Sequence, residues 1–178
     1  MYSDDIKNTL KSNSNIKISS KIIEERVFLE YNDKNEIAYI KGVEANYASI
    51  TQIDSAISVG NWLDQEFSNT AVIGRGISNK LSLGIFNFGE PLSIMIPKPG
   101  TGFINPNNAF YKTNVQIVGL YSGTEEFESK FVFIDIEQAR ELLRFKENQI
   151  TGIELKLIDN TNVDNISETI QQQLGSDY

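Results

Sequence analysis

The sequence contains no cysteine and no histidine among its 178 residues. Without cysteine, the chain cannot form a disulfide, a zinc ribbon, an iron–sulfur site or a thiol nucleophile. Without histidine, it cannot build a Ser-His-Asp triad, an HExxH metalloprotease site or a histidine-ligated metal centre. These absences exclude many enzyme classes, so we expect no catalytic residue, no metal site and no cofactor.

Basic residues are also few: the sequence has 16 Lys and Arg against 24 Asp and Glu, which gives a formal net charge of −8. A protein that binds a phosphate backbone needs a surplus of Lys and Arg, so we expect no nucleic-acid partner. No run approaches the roughly 20 apolar residues of a membrane span, and no signal peptide is visible. The composition is that of a globular fold, and the length suits one domain or two small interleaved ones.

Alternating apolar residues predict strands, most clearly over residues 21–31, where Val27, Leu29 and Tyr31 share one face. A polar turn and a second β-rich run over residues 36–43 complete a predicted hairpin. Further strands are predicted at residues 70–73, 91–97, 114–121, 131–134 and 153–158. Because hairpins alternate with helices, we predict an α+β fold with mainly antiparallel strands.

Apolar residues at helical spacing predict helices between these strands. The predicted helices cover residues 1–13, one or two turns near 50–57, residues 77–83, a segment after Asp135, and a last segment after Thr161 or Asn162. Ser3 is a suitable N-cap for the first helix. Asp135, with Gln138 three residues later, has the spacing of a capping box.

Three short motifs have a functional interpretation beside a structural one. Gly74–Gly76 follows a strand as a phosphate-binding turn does, but the GxGxxG spacing fails and a tight βα turn fits better. Glu125, Glu126 and Glu128 could bind Ca²⁺, but they lack the DxDxDG pattern, which favours a solvated turn. The lone Trp62 fits a half-buried packing residue better than a ligand platform.

The segment from residue 97 to residue 113 connects two well-patterned strands and is far longer than the usual hairpin loop of about 2–5 residues. It carries the apolar residues Phe103, Ile104, Phe110 and Tyr111 between the flanking cations Lys98 and Lys112. Such a loop either folds back over the core or projects apolar anchors toward a partner. Its three prolines would lower the ordering cost of binding, which favours the second interpretation.

Several short segments follow one another in an order that carries a family resemblance. They are Lys41–Glu44 with Tyr47, Val59–Trp62, Ala71–Gly76, Lys80 and Leu81 with Gly84, Gly89–Ile94, Val115–Tyr121, Phe131–Leu143 and Ile150–Leu155. This order resembles the periplasmic core domains of LolC/LolE-like and MacB-like ABC transporter permeases, roughly from residue 22 to residue 174. The Ile-Thr-Gly of residues 150–152 and the long central loop resemble the lipoprotein-releasing LolC/LolE branch more than the MacB branch.

The resemblance implies a domain that lies between the first two transmembrane helices of an inner-membrane permease and faces the periplasm. It implies a Porter-like subdomain, residues 1–45 and 150–178, and an inserted Sabre-like subdomain, residues 46–149, that carries the long loop 97–113. The Porter-like part is expected to be incomplete, because the family's strands before the first helix and after the last are missing at both ends. We therefore expect a piece of a longer protein with one membrane span before residue 1 and three after residue 178.

The resemblance also implies a function without catalysis. A cytoplasmic ATPase and a second permease subunit would drive the transfer of lipoproteins to a LolA-like periplasmic carrier, which a protruding hook of the domain catches. Here the hook corresponds to Pro99–Tyr111, which we call the hook loop, although it lacks the arginine that would help a basic contact. The predicted partner-binding residues are Lys98, Phe103, Ile104, Pro106, Phe110, Tyr111 and Lys112.

Two alternatives stay open at this point. The same architecture would serve a MacB-like efflux permease or an FtsX-like signalling permease, which flanking genes for an adaptor or a carrier would distinguish. A carbohydrate-active enzyme or binding domain is the alternative from another class. It would require a concave pocket with converging carboxylates of raised pKa.

Overall fold

The computed structural model describes residues 2–64, 66–85, 90–99, 109–159 and 162–174. The strands are β1 Ile16–Tyr31, β2 Lys34–Val43, β3 Ile57–Gly60, β4 Thr70–Gly74, β5 Leu92–Pro97, β6 Phe110–Tyr121, β7 Phe131–Asp135 and β8 Gly152–Leu157. The helices are α1 Asp4–Ser12, α2 Tyr47–Thr51, α3 Arg75–Leu81, α4 Glu125–Glu128, α5 Ile136–Leu143 and α6 Val163–Leu174, with a 3-10 turn at Ile53–Ala56. In these ranges, no helix is long and apolar enough to cross a membrane.

The described strands form one sheet in which β1, β2, β7, β4, β6 and β5 pair in that order and β5 returns to β1. These six strands therefore close into a ring, while β8 pairs with the first part of β1 and β3 with the end of β6. Only the β2–β7 and β4–β6 pairings are parallel among the described strands. The predicted α+β class with mainly antiparallel pairing is confirmed.

The predicted hairpin is present as β1 and β2, which pair without a break from Ile22↔Val43 to Tyr31↔Lys34. The turn is tight because Asn32 adopts a left-handed conformation with φ 50°, which asparagine tolerates better than most residues. Val27 and Leu29 point into the ring and are almost fully buried. Helices α3 and α5 pack against this interior and complete the main hydrophobic core.

A second core lies on the outward side of β2, β4 and β7, beneath α2 and the 3-10 turn. It is rich in aromatic rings, which pack around the fully buried Phe133. Trp62 stacks on Tyr47 at 6.4 Å between ring centroids, with the rings 14° from parallel. Trp62 is therefore a packing residue.

Several local features differ from the sequence predictions: β1 begins at Ile16 and not at residue 21, α3 covers Arg75–Leu81 and not residues 77–83, and β3 was not predicted. Residues Glu125–Glu128 form helix α4 instead of an open turn, because the Thr124 hydroxyl accepts a hydrogen bond from the Phe127 N–H and caps it. Strand β6 begins at Phe110, four residues before the predicted start, since it continues to pair with β5 as far as Pro97. Asp135 caps α5 by accepting from the Glu137 N–H, whereas the Gln138 side chain bonds Asn69.

Candidate functional site

The stem of the hook loop is a regular hairpin that ends at Lys98. Strands β5 and β6 pair up to Pro97↔Phe110, and the Lys98 N–H then donates to the Ala109 carbonyl at 2.8 Å. The stem thus holds Lys98 and Ala109 side by side, and it includes Phe110 and Tyr111, the last two residues of the predicted hook loop. Phe103, Ile104 and Pro106 lie outside the described residues.

The four predicted site residues that the structure describes lie on two faces of this stem. Phe110 points outward, is 40% exposed, and meets Phe28 edge-to-face at 5.9 Å. Lys112 also points outward, and its Nζ lies 3.4 Å from a carboxylate oxygen of Glu30. This ion pair is half exposed, so it contributes at most about 1 kcal/mol and leaves Lys112 accessible.

Tyr111 lies on the opposite face, half-buried against the main core. Its ring is flanked by two cations, the Lys98 Nζ at 5.3 Å and the Arg144 guanidinium at 5.4 Å from the ring centroid. A cation over an aromatic face is attracted to it by the ring quadrupole. Tyr111 therefore holds Lys98 at the stem and ties the stem to Arg144 at the end of α5.

Sequence reasoning missed part of the outward face of this stem. Next to Phe110 lie further outward-pointing apolar residues of β1, β2 and β5. We call this set the outer patch: Phe28, Ile37, Met95, Pro97 and Phe110. The sequence feature that could have indicated this patch is Phe28. It is a large apolar residue that shares the polar face of β1 with the charged Arg26 and Glu30.

A second cluster surrounds Lys41, which is 8% exposed on the outward side of β2. Its Nζ lies 3.0 Å from Glu154 and 3.4 Å from Glu24, and 4.7 Å from the centroid of the Phe131 ring. The Tyr47 hydroxyl donates to the same Glu154 carboxylate at 3.2 Å. Every charge in the cluster has a partner, so it joins α2 and β2 to β1 and β8 and has a structural role.

Burial raises the pKa of Tyr47 and Tyr121 well above the usual value near 10, and for Tyr47 the Glu154 carboxylate adds to the effect. Above pH 10 the unfolded chain loses these phenolic protons while the folded chain keeps them. The free energy of unfolding is therefore expected to fall by about 2.7 kcal/mol per pH unit above pH 10 from these two groups. Urea unfolding between pH 9 and pH 11.5 would measure it.

The control for this prediction is the pair of single variants Tyr47→Phe and Tyr121→Phe. Each removes one titrating group, so each should reduce the alkaline slope by about 1.4 kcal/mol per pH unit. Equal slopes in wild type and both variants would contradict the assignment.

A groove of about 840 Å³ opens where β2 and β7 end. It is lined by Glu44, Ala45, Asn46, Phe67, Ser68, Asn69, Asp135, Ile136, Glu137, Gln138 and Glu141. Three of its carboxylates already serve the fold: Glu44 pairs with Lys21 at 3.0 Å, Glu137 pairs with Arg140, and Asp135 caps α5. This arrangement does not resemble the acid–base pair of a carbohydrate-active enzyme.

The Gly74–Gly76 turn and the Glu125–Glu128 segment both have structural roles. A Cβ at Gly74 would lie 1.9 Å from the Glu128 carbonyl oxygen, so the glycine turn is filled by the backbone of α4 and leaves no room for a phosphate. The Glu128 carboxylate accepts from the Gly123 N–H and stabilises its own turn. Within the described part of the chain, no group of three potential ligands could hold a metal ion.

Comparison with known proteins agrees with the fold and the segment order. The family model for the MacB-like periplasmic core domain matches residues 1–173. The lipoprotein-releasing system transmembrane protein LolE of Haemophilus influenzae is 24% identical over 153 residues, which cover 84% of this chain. The match spans only 35% of that relative's length.

Two solved structures share the fold. The periplasmic region of MacB from Actinobacillus actinomycetemcomitans superposes with a TM-score of 0.62 at 14% identity, covering 98% of this chain and 74% of that one. The extracellular domain of the noncanonical ABC-type transporter YknZ from Gram-positive bacteria gives a TM-score of 0.59 at 13% identity, covering 95% and 78%. The resemblance found in the sequence is confirmed, and the chain belongs to the family of MacB-like periplasmic core domains.

Proposed function

We propose that this chain is the periplasmic part of an inner-membrane ABC transporter permease that releases lipoproteins and passes them to a LolA-like periplasmic carrier. It would act there with a second permease subunit and a cytoplasmic ATPase, as a docking and coupling module. The observation that carries the proposal is the likeness to LolE, which extends over 84% of this chain. The stem with its outward Phe110 and accessible Lys112 supports it.

The proposed carrier site combines apolar anchors with a cationic margin. Phe103, Ile104 and Pro106 of the hook loop would insert into the carrier, and Phe110 would extend this apolar contact onto the stem. Lys98 and Lys112 would meet an acidic rim of the carrier, and Tyr111 would hold the stem in position. Aromatic and aliphatic anchors dominate the energy of most interfaces, so the loss of the anchors should outweigh the loss of the cations.

We also propose the division into a Porter-like part, residues 1–45 and 150–178, and a Sabre-like part, residues 46–149. The Porter-like part would then contain β1, β2 and β8 with α1 and α6. The hook loop would lie in the Sabre-like part, on a stem paired directly to β1 through Leu29↔Ile94.

The proposal is tested with the double variant Phe103→Ala/Ile104→Ala in a pull-down with a purified LolA-like carrier. We expect binding to fall at least tenfold, because both anchors are truncated to a methyl group. The same assay at two salt concentrations would show a modest loss with salt if Lys98 and Lys112 face an acidic rim.

The matched control is Phe67→Ala, which removes a ring that is 63% exposed and lies at the groove, away from the stem. This variant should bind the carrier as wild type does. If Phe103→Ala/Ile104→Ala binds as well as wild type, the hook assignment is wrong.

A second candidate function is efflux by a MacB-like permease or signalling by an FtsX-like permease, and the MacB and YknZ domains share the fold of this chain. A MacB-like permease would retain an adaptor and not a lipoprotein carrier. Co-purification of the full-length permease with its natural partners separates the two functions.

A further inference from the structure

The groove at the ends of β2 and β7 lies where the chain divides between the two sides of the sheet. These two strands are parallel neighbours, and their pairing ends at Val43↔Asp135. After β2 the chain turns to the outward side, where α2 covers the aromatic second core. After β7 it turns to the inward side, where α5 packs on the main core. Connections that leave neighbouring parallel strands in opposite directions open a crevice at their carboxyl ends, and such crevices bind ligands in α/β proteins.

The groove has the size of a ligand-binding site. Its volume of about 840 Å³ lies within the range of roughly 300–1,000 Å³ that is usual for such sites. Phe67, which precedes β4, belongs to the lining and is 63% exposed. Ala45 and Ile136 are the other apolar members of the lining. The groove can therefore hold a ligand that has apolar as well as polar groups.

All the charged residues that line the groove are acidic. They are Glu44, Asp135, Glu137 and Glu141. The cations Lys21 and Arg140, which pair with Glu44 and Glu137, do not belong to the lining. A cleft lined by charge of one sign focuses its field and concentrates ions of the opposite sign. The groove therefore favours a positively charged ligand, and it repels the phosphate groups that crevices of this kind bind in nucleotide-binding proteins.

The walls of the groove also contain hydrogen-bond acceptors without a donor. The exposed Glu141 carboxylate forms no ion pair or hydrogen bond with another described residue. The side-chain oxygens Oδ1 of Asn46 and Oε1 of Gln138 are buried, and within the described ranges neither has a hydrogen-bond donor. Acceptors of this kind are costly to leave unpaired. Ammonium and guanidinium groups carry donors alone, so they are complementary to these walls.

We propose that the groove binds an extended segment of a partner protein that carries arginine or lysine next to apolar side chains. A cationic head would pair with Glu141, and a neighbouring side chain of the segment would cover the Phe67 ring. The exposed ring favours a polypeptide over a small polyamine, which has no apolar side chain to place on it. The inference is independent of the carrier and of the hook loop, because every residue that carries it lies at the ends of β2 and β7 or before β4.

The test is fluorescence anisotropy with the labelled probe peptide acetyl-Gly-Arg-Leu-Arg-Leu-Gly-amide, titrated with the 178-residue chain. We expect saturable binding, and none with the peptide in which glutamate replaces both arginines. Glu141→Lys should raise the dissociation constant at least about fivefold, because it turns an attraction into a repulsion. Phe67→Ala should raise it about threefold, because it removes the ring on which a guanidinium or an apolar side chain packs.

The matched control is Glu147→Lys, which makes the same change of charge at an exposed position outside the lining of the groove. This variant should bind the probe peptide as wild type does. Equal losses in Glu141→Lys and Glu147→Lys would show a diffuse attraction to a chain of net charge −8 and overturn the inference. Nuclear magnetic resonance gives the position directly, since the peptide should shift the amide signals of Asn69 and Gln138. Shifts confined to residues outside the groove would overturn the inference as well.

Two other ligands are separated in the same assays. If spermidine binds the groove and the peptide does not, the ligand is a small polyamine and the inference is wrong. If sedimentation shows that Glu141→Lys abolishes self-association of a wild type that ignores the peptide, the groove is an interface between copies of this chain, which also overturns it. A chain that binds the peptide at the groove and fails to bind the carrier upholds this inference while the proposed function fails.

Discussion

Replacing Phe133 by alanine is expected to lower the free energy of unfolding by about 4 kcal/mol. Phe133 is fully buried, and its ring lies 5.2 Å from Trp62, 5.4 Å from Tyr121 and 5.9 Å from Tyr47 between centroids. Its removal leaves a cavity between rings that α2 and β6 hold in place, so the surroundings can collapse only in part. A domain of this size should lose about 12 °C in its thermal midpoint.

Urea unfolding followed by Trp62 fluorescence measures this effect, because the only tryptophan of the sequence touches the site of the change. Phe67→Ala is the matched control, since the Phe67 ring is 63% exposed and its truncation should change stability by about 0.5 kcal/mol or less. A loss below about 1.5 kcal/mol for Phe133→Ala would show that the aromatic core repacks freely.

The second large effect is expected at Gly74, where alanine should cost about 3 kcal/mol. A Cβ there would lie 1.9 Å from the carbonyl oxygen of Glu128 and 2.6 Å from its Cα. These are backbone atoms of α4, so no side-chain rotation can relieve the clash. The helix would have to move, and with it the Phe127 carbonyl that accepts from the buried Tyr121 hydroxyl at 2.9 Å.

Gly84→Ala is the matched control, because a Cβ at Gly84 would meet no atom of the described residues within 4 Å. Alanine there restricts the unfolded chain and should leave stability unchanged or raise it by about 0.5 kcal/mol. A Gly74→Ala protein as stable as the Gly84→Ala protein would mean that α4 is not held against the glycine turn.

Local sequence patterns predicted where the strands and helices lie better than they predicted which strands pair with one another. The alternation of Val27, Leu29 and Tyr31 gave the buried face of β1 because a period of two is a property of neighbouring residues. The parallel pairing of β2 with β7 joins Tyr39 to Phe131, and nothing near either residue specifies the other. Such pairings depend on the packing of the whole ring.

The sequence predicted only the part of the candidate site that lies within one continuous segment of the chain. The length and composition of the loop after Pro97 drew attention to Phe110 and Lys112, and the structure places both on the outward face of the stem. The sequence could not place Phe28 beside Phe110, since 82 positions separate them and β5 lies between their strands. The Lys41 cluster was hidden for the same reason, because Glu154 approaches it from β8.

Strand β1 has a mechanical consequence. Its first residues pair with β8, and its last residues pair with β5 on the same edge, so one backbone of 16 residues, roughly 50 Å, serves both regions. A load applied at β8 would therefore reach the stem of the hook loop through the hydrogen-bonded pairings of β1 with β8 and β5 and along the continuous backbone of β1. Loosening the side-chain packing between β8 and the stem would leave this backbone path intact, whereas a break within β1 would interrupt it.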